Sequence, residues 1–365
     1  MRVPPGWVRR PLSLLLVAAL ALAATFLPLL VLGAALASLI VPGRWRPLRL
    51  LLFALVYLAL EVAGLLLLLV LWVASGFGWA LRREAFVDAH YRLLRVLLAA
   101  VDLAARVVFR VRVDTDGAGW SPLDDGTPGS ENAMVVLSRH AGAGDSFLLV
   151  RTLLDRDHLR RPRIVLDERL QLDPLVDVLL NRLPTAWIPA RPGGSEDVLA
   201  GIGRLAAGMG DEDALLIFPE GGNFTTARRR RAIDRLRERG LFAQADRADA
   251  MPNLLPPRPG GVLAALAAAP HADVVLVAHT GLEHLSTPRD LWSGVPLDSA
   301  VVLRWDIVAA ADVPRDPDAQ TMWLYDRWEQ MDAWITVRPP TSGVARSGSR
   351  ESGSCDRAVR GRTEP

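Results

Sequence analysis

The hydrophobic pattern divides the chain in two. Between Arg10 and Arg44 no charged residue interrupts an alanine- and leucine-rich run, and between Arg49 and Arg82 the only charge is Glu61. Each run exceeds the roughly 20 residues that a helix needs to span a bilayer. A cleavable signal peptide is the first alternative, because Arg9 and Arg10 precede an apolar run containing Ala21-Leu22-Ala23. A signal h-region is only about 7–15 residues long, and this run continues past Leu30, which favours retention. Arginine groups precede, separate and follow the two runs, and positively charged flanks prefer the cytoplasmic side. A hairpin that enters one leaflet and returns satisfies all three groups, with Pro28 supplying a kink. A membrane-embedded two-helix hairpin is therefore expected over residues 1–83.

Beyond it the pattern shortens. Residues 91–112 mix leucines and valines with Arg92, Arg95, Arg106, Arg110 and Arg112. They read as an amphipathic helix, either lying among lipid headgroups or packed on its own domain. Residues 114–132 are rich in Gly, Asp, Ser and Pro and read as a linker, so 84–132 holds amphipathic helix and linker together. Short β-branched runs then alternate with helical patterns. Strands are predicted at Ala133–Arg139, Arg163–Leu166, Ala186–Ala190, Ala214–Phe218, Asp273–His279 and Val301–Val308. Helices are predicted at 145–156, 173–183, 195–208, 227–239 and 261–269. This alternation predicts an α/β domain over 133–338, its mixed, mostly buried sheet flanked by helices. The Ser/Gly/Arg-rich stretch 339–365 lacks apolar residues and is expected to be disordered.

Composition narrows the function. The net charge of +2 gives no electrostatic case for nucleic acid. No lysine occurs, so all 42 cationic side chains are arginine, and arginine enrichment alone says little about phosphate. The single cysteine, Cys355, excludes a disulfide framework, a cysteine metal cluster and a buried thiol nucleophile. His279 and His284 are poorly spaced for one helical face and join no carboxylate cluster, so no metal site is expected.

The chemistry concentrates in Ser138-Arg139-His140-Ala141-Gly142-Ala143-Gly144-Asp145. His140 follows a predicted strand, and Asp145 falls where the next helix begins. Imidazole can accept a proton from an alcohol near neutral pH. A carboxylate on its other ring nitrogen would fix the tautomer and stabilise the imidazolium. The competing explanation makes Asp145 a helix N-cap and His140 a packed strand-end residue. Phe218-Pro219-Glu220-Gly221-Gly222 ends a second apolar strand with a proline that stops pairing and glycines that permit an unusual turn. It would set Glu220 at the same sheet edge as His140.

Read together, His140-x4-Asp145 and Phe-Pro-Glu-Gly, in that order and separation, resemble the glycerolipid acyltransferase family. The similarity extends over about residues 133–336. Leu255-Pro256-Pro257-Arg258-Pro259-Gly260-Gly261 is similar to the family's Leu-Leu-Pro-Arg-Thr-Lys-Gly, and Trp323 to Trp328 with Asp332 resembles its terminal amphipathic helix. Arg191, after Trp187-Ile188-Pro189, falls where the family places a phosphate-binding arginine. The resemblance implies His140 and Asp145 as catalytic residues, and Glu220, Gly221, Arg191 and Arg258 as substrate-binding ones. It implies a membrane enzyme that acylates a lysophospholipid such as lysophosphatidic acid, with acyl-CoA or acyl carrier protein as the donor substrate and no cofactor. The expected location is the plasma membrane of a bacterium, with the catalytic domain cytoplasmic and membrane lipids as partners.

The chain also departs from that pattern. Gly222 and Asn223 stand where the family has Thr/Ser and Arg, and Pro259-Gly260 replace Thr-Lys, which leaves the acceptor open. Two other readings compete: a serine esterase using Ser146 in Gly144-Asp145-Ser146, and a non-catalytic lipid-binding scaffold of the same fold. No Gly-x-Ser-x-Gly elbow and no late Asp-x-x-His supports the esterase.

Overall fold

The computed structural model describes residues 3–9, 11–116, 132–142, 144–155, 160–189, 195–283, 288–297 and 300–338. Expectations placed on Arg191, His284 and the tail 339–365 lie outside the described residues. The apolar end is built from α1 (Gly6–Arg9), α2 (Leu12–Thr25), α3 (Leu27–Ile40) and α4 (Arg46–Ala74). The first apolar run is thus broken at Phe26, and Pro28 sits in the first turn of α3, where a missing N–H costs nothing. The second run is a single helix of 29 residues. Gly6–Thr25 and Arg46–Ala74 are, among the described residues, the two helices long and apolar enough to cross a membrane.

Next comes α5 (Glu84–Phe109), whose apolar stripe of Tyr91, Leu93, Leu94, Leu97 and Leu98 is buried. That burial selects the second of the two alternatives for this helix: it packs on its own domain. The helix also ends earlier than the expected Arg112. Arg110 adopts a left-handed conformation, and Arg112–Thr115 continue as a strand, β1, inside the stretch expected to be helix end and linker.

The domain follows in order: β2 (Met134–Ser138), α6 (Asp145–Leu153), β3 (Arg161–Asp167), α7 (Pro174–Leu180), β4 (Thr185–Ile188), α8 (Ser195–Ala207) and β5 (Asp213–Ile217). Then come α9 (Thr226–Glu238), α10 (Phe242–Asp249), α11 (Pro259–Ala268), β6 (Asp273–Thr280), α12 (Pro288–Gly294), β7 (Ala300–Val308) and α13 (Pro317–Val337). The seven strands form one sheet in the order β1-β7-β6-β2-β5-β3-β4. All neighbours are parallel except β6 and β7, so β1 and β7 run against the other five. This is the mixed sheet flanked by helices that the alternation predicts.

Every residue of β2, β5 and β6 is buried, as parallel strands covered on both faces require. One face packs against α4, α5, α6 and α7, with Leu68, Leu97, Leu149 and Leu179 meeting Val136, Leu216 and Val275. The other face carries α8, α9, α10, α11 and α13, where Trp328, Leu324 and Ile233 join Val135, Leu215 and Val274. Parallel pairing of β2 with β5 and β6 brings Leu137 beside Ile217 and Ser138 beside Val277. The carboxyl ends of three central strands therefore open at one edge, the usual place for a ligand in such sheets.

Candidate active site

His140 lies just past the end of β2 and Asp145 opens α6. The Nδ1 of His140 sits 2.8 Å from Asp145 Oδ2. The same oxygen accepts the Ala141 N–H at 3.0 Å and the Gly142 N–H at 3.3 Å, and Oδ1 accepts the Ser146 N–H at 2.6 Å. Asp145 thus holds both the turn and the ring. Burial alone would raise its carboxyl, but bonding to His140, the nearby His279 and the Gly142 amide outweigh that and hold it below the ordinary carboxylate range. With Nδ1–H donated to Asp145, the Nε2 lone pair of His140 remains for a substrate proton. His140 is 23% exposed whereas Asp145 is 1% exposed, which is the division of labour a base and its orienting group need. The ring is backed by Phe218, their centroids 4.6 Å apart.

The tight turn has a steric cause. A Cβ on Gly142 would lie 2.2 Å from the carbonyl oxygen of Leu282, so only glycine lets the loop pass the end of β6. The backbone amides of this turn are partly committed to the Asp145 carboxylate. Those of Ala141, Gly142 and Ser146 are the ones bound to Asp145.

Glu220 follows β5 and reaches the same edge, but its carboxyl is buried rather than presented to the cleft. Burial pushes it up to about 8, opposed by the Arg139 guanidinium and the amides of His140 and Leu255. The carboxyl expected to bind substrate thus lies enclosed against the His140 and Leu255 backbone. Gly221 takes a left-handed φ of +67°, and the Arg258 guanidinium occupies the space a Cβ would need, 2.9 Å away. The Arg258 N–H donates to Pro219 O at 2.9 Å, tying this turn to the loop before α11. On the other side, the Phe224 N–H donates to His140 O at 2.7 Å. His140, Glu220, Gly221 and Arg258 are therefore brought together, while Arg191 lies outside the described residues. Ser146 Oγ meets Asp145 Oδ1 at 3.3 Å, and among the described residues no histidine is bonded to it, so the esterase reading gains nothing.

Four residues at this edge, Arg139, Asn253, His279 and Glu283, escape a reading by motif. Arg139 is completely buried and donates to His279 O and Glu283 Oε1, each at 2.7 Å, and to Asn253 O at 3.3 Å. Glu283 in turn accepts the Gly281 N–H at 2.7 Å. Asn253 N–H is received by Asp332 of α13 at 2.8 Å, so the residue before His140 is linked to the last helix. His279 is buried at the end of β6, its Nε2 3.3 Å from Arg139 O and 3.9 Å from Asp145 Oδ2. The signal available in the sequence was an arginine ending an apolar strand, directly before a reactive histidine.

Residues 124–278 match the family model described as Acyltransferase. That segment is similar to the acyltransferase family, that of the glycerolipid acyltransferases. A comparison with curated proteins gave no match. The acyltransferase match contains His140, Asp145, Glu220, Gly221 and Arg258, and stops one residue short of His279. Glu283 and α13, which contact Arg139 and Asn253, lie outside the matched segment.

Proposed function

We propose that the protein is a membrane-bound acyltransferase. In this reading it moves a fatty acyl chain from acyl-CoA or an acyl carrier protein to the hydroxyl of a lysophospholipid such as lysophosphatidic acid, in phospholipid biosynthesis or remodelling. The observation that carries the reading is the His140–Asp145 hydrogen bond at the cleft edge, with Nε2 left to the substrate. His140 takes the acceptor hydroxyl proton as the oxygen attacks the thioester carbonyl carbon. The C–S bond then breaks, and the proton passes from the imidazolium to the departing thiolate. Asp145 keeps the tautomer and stabilises the imidazolium. Arg258 and the Gly221 turn bind the acceptor headgroup together with Arg191, and Glu220 braces the loop from beneath.

The apolar end supports a membrane location for this chemistry. Leu14, Leu39, Ile40 and Leu66 are exposed hydrophobic residues of α2, α3 and α4, a surface that bilayer lipid would cover. Helix α4 lies antiparallel along α5. Arg49 donates to Val108 O near one end, Phe53 stacks on Phe109 at 4.5 Å, and Arg182 donates to Leu68 O at 2.9 Å near the other. Because the domain touches α4 along this length, a hairpin held in one leaflet fits better than a pair of crossings. Phe147, exposed in the first turn of α6, would continue that apolar surface to the edge of the site, which lets acyl chains enter from the bilayer. The domain would then face the cytoplasm of a bacterium.

The test is acyl transfer by membranes containing the protein or its His140→Ala form. Labelled acyl-CoA and acyl-carrier thioester are supplied with a panel of lysophospholipids and neutral hydroxyl acceptors. A lysophospholipid product that disappears in His140→Ala is expected. Equal product from both forms would remove His140 from the mechanism, and product on neutral acceptors alone would overturn the lysophospholipid.

A further inference from the structure

Helix α9 carries a row of arginines that form no ion pair among the described residues, although Asp234 and Glu238 share the helix. Arg228, Arg231, Arg235 and Arg239 recur at spacings of three and four, which places them along one side of the helix. Arg258 joins them from the loop before α11. Its guanidinium is held below its usual pKa by burial and by Arg235 and Arg239 together. Among the described residues none of these five forms an ion pair. The flank of α9 facing α10 is built differently. There Arg229 and Arg237 pair with Asp249, each at 3.6 Å, and Arg247 of α10 pairs with Asp326 and Glu329 of α13, each at 2.5 Å. Arginines that serve packing are thus neutralised, while those on the outer side repel one another. Like charges four residues apart destabilise a helix, so folding does not account for the row.

The row has a direction. It starts two turns of chain from the proposed base, since Phe224 bonds His140 O and Thr225 caps α9 by accepting the Arg228 N–H at 3.1 Å. From there it continues along α9 to Arg239, and Arg235 and Arg239 lie near enough to Arg258 to depress its guanidinium. Helix α9 packs on the sheet face opposite α4–α7, so lipid headgroups around the hairpin are not its natural partner. The helix arginines are exposed and spread along about three turns of α9, more than a small nucleotide in a concave site would span. A soluble, acidic macromolecular face meets both conditions.

We infer that this arginine row is the docking surface for an acidic carrier protein that delivers the acyl group as a thioester to His140. The inference rests on the acyl-transfer reading above and chooses between the two donors it allows. Steering charges at an interface rim act mainly on encounter and on salt dependence.

The test compares palmitoyl-acyl carrier protein with palmitoyl-CoA, using one acceptor and full-length protein. The variants are Arg231→Glu/Arg235→Glu/Arg239→Glu and the matching triple glutamine form. The glutamate form is expected to raise KM for the carrier thioester by ~10-fold or more, with a smaller rise in the glutamine form. Both should leave kcat within about twofold, and should raise the KM for palmitoyl-CoA, itself an anion, several-fold less than that for the carrier thioester, because a small donor spans fewer of the row's arginines than a protein face does. Equal losses with both donors, or no change with either, would overturn the inference. So would unchanged carrier kinetics accompanied by lost binding to anionic vesicles, which would assign the row to membrane. Docking is also read without turnover, as anisotropy of labelled holo-carrier protein. Salt-sensitive binding by the wild type that weakens ~10-fold in the glutamate form supports docking even if no acyl transfer occurs, an outcome that would count against the transferase reading alone. Absence of wild-type binding overturns docking whatever the turnover.

Discussion

His279 Nε2 lies 3.9 Å from the Asp145 oxygen that also receives the His140 hydrogen bond, so one carboxylate oxygen stands between two imidazoles. The two rings are separated by environment. His140 is partly exposed, and His279 is enclosed at the end of β6. Burial and the neighbouring Arg139 push His279 down to about 4, which keeps it neutral beside an ionised Asp145. A neutral ring can donate Nε2–H to Arg139 O and so hold the backbone immediately before His140.

The first prediction concerns the carboxylate. Asp145→Asn removes the acceptor that keeps Nδ1 protonated and permits the wrong tautomer. Transfer should fall by about 10²–10⁴-fold, the range that positioned acid–base groups supply. Initial rates on the acceptor identified in the panel check this. Combining Asp145→Asn with His140→Ala should cost little beyond His140→Ala alone, because the two act as a unit. Activity of Asp145→Asn within about twofold of wild type would dissolve the pair.

His279 gives an acid-side signature. Its folded pKa lies below the ordinary 6.5, so between those values the unfolded chain binds a proton that the folded chain refuses. Stability is therefore lost as pH falls from about 6.5 toward about 4. His279→Gln has no such proton to refuse and keeps an N–H to offer Arg139 O. The melting temperatures of variant and wild type should converge or cross as the buffer is taken from pH 7 to pH 5. A gap that stays constant over that range would mean that His279 is not neutral in the fold.

Glu220 shifts in the other sense. Its folded pKa of about 8 lies above the ordinary 4.5, so the folded state holds a proton that the unfolded chain releases between these values. The favourable contribution is complete below 4.5 and is lost as pH rises through about 8. Glu220→Gln imitates the protonated acid, so it should gain thermal stability relative to wild type at pH 9 and gain little at pH 5. At pH 7 it should retain transfer within roughly threefold, since the side chain braces a loop and touches no substrate. A larger activity loss with unchanged stability would instead place the carboxylate in contact with the acceptor.

What the sequence disclosed follows from which features are periodic. The six predicted strands all appear: β2, β5 and β6, buried on both faces, are written as continuous apolar runs, and β7 alternates buried with less buried positions. His140-x4-Asp145 and Phe-Pro-Glu-Gly were legible as local motifs at strand ends. Strand β1 was hidden because Val111 and Val113 extend the apolar spacing of α5, and only the left-handed Arg110 separates helix from strand. Whether α5 lay on lipid or on its own domain depended on which partner covered its stripe, and part of that cover comes from α6 and α7, which follow in the chain only after β1 and β2. Residues 242–249 carry Phe242 as their one large apolar side chain, with alanines elsewhere, so α10 had only a weak period to betray it. Arg139 illustrates the deeper limit. Its partners His279, Asn253 and Glu283 are more than a hundred residues away, and tertiary contact alone assembles them.

That assembly yields the last prediction. The Arg139 guanidinium is enclosed and binds Glu283 Oε1 at 2.7 Å, while Glu283 also receives the Gly281 N–H. Arg139→Met should destabilise the fold by about 3–5 kcal/mol, because it strands the Glu283 charge and leaves His279 O and Asn253 O without their donor. Glu283→Gln keeps the acceptor for Gly281 and should cost less. In the double variant no stranded carboxylate remains, so the combined loss should fall short of the sum of the singles by about 1–3 kcal/mol. Denaturant unfolding of the four forms measures that coupling, and transfer rates on the same samples give it functional meaning. A kcat that drops in Arg139→Met and partly returns in the double variant would show that the buried pair holds His140 in register. Strict additivity in stability would reduce the ion pair to two independent packing residues.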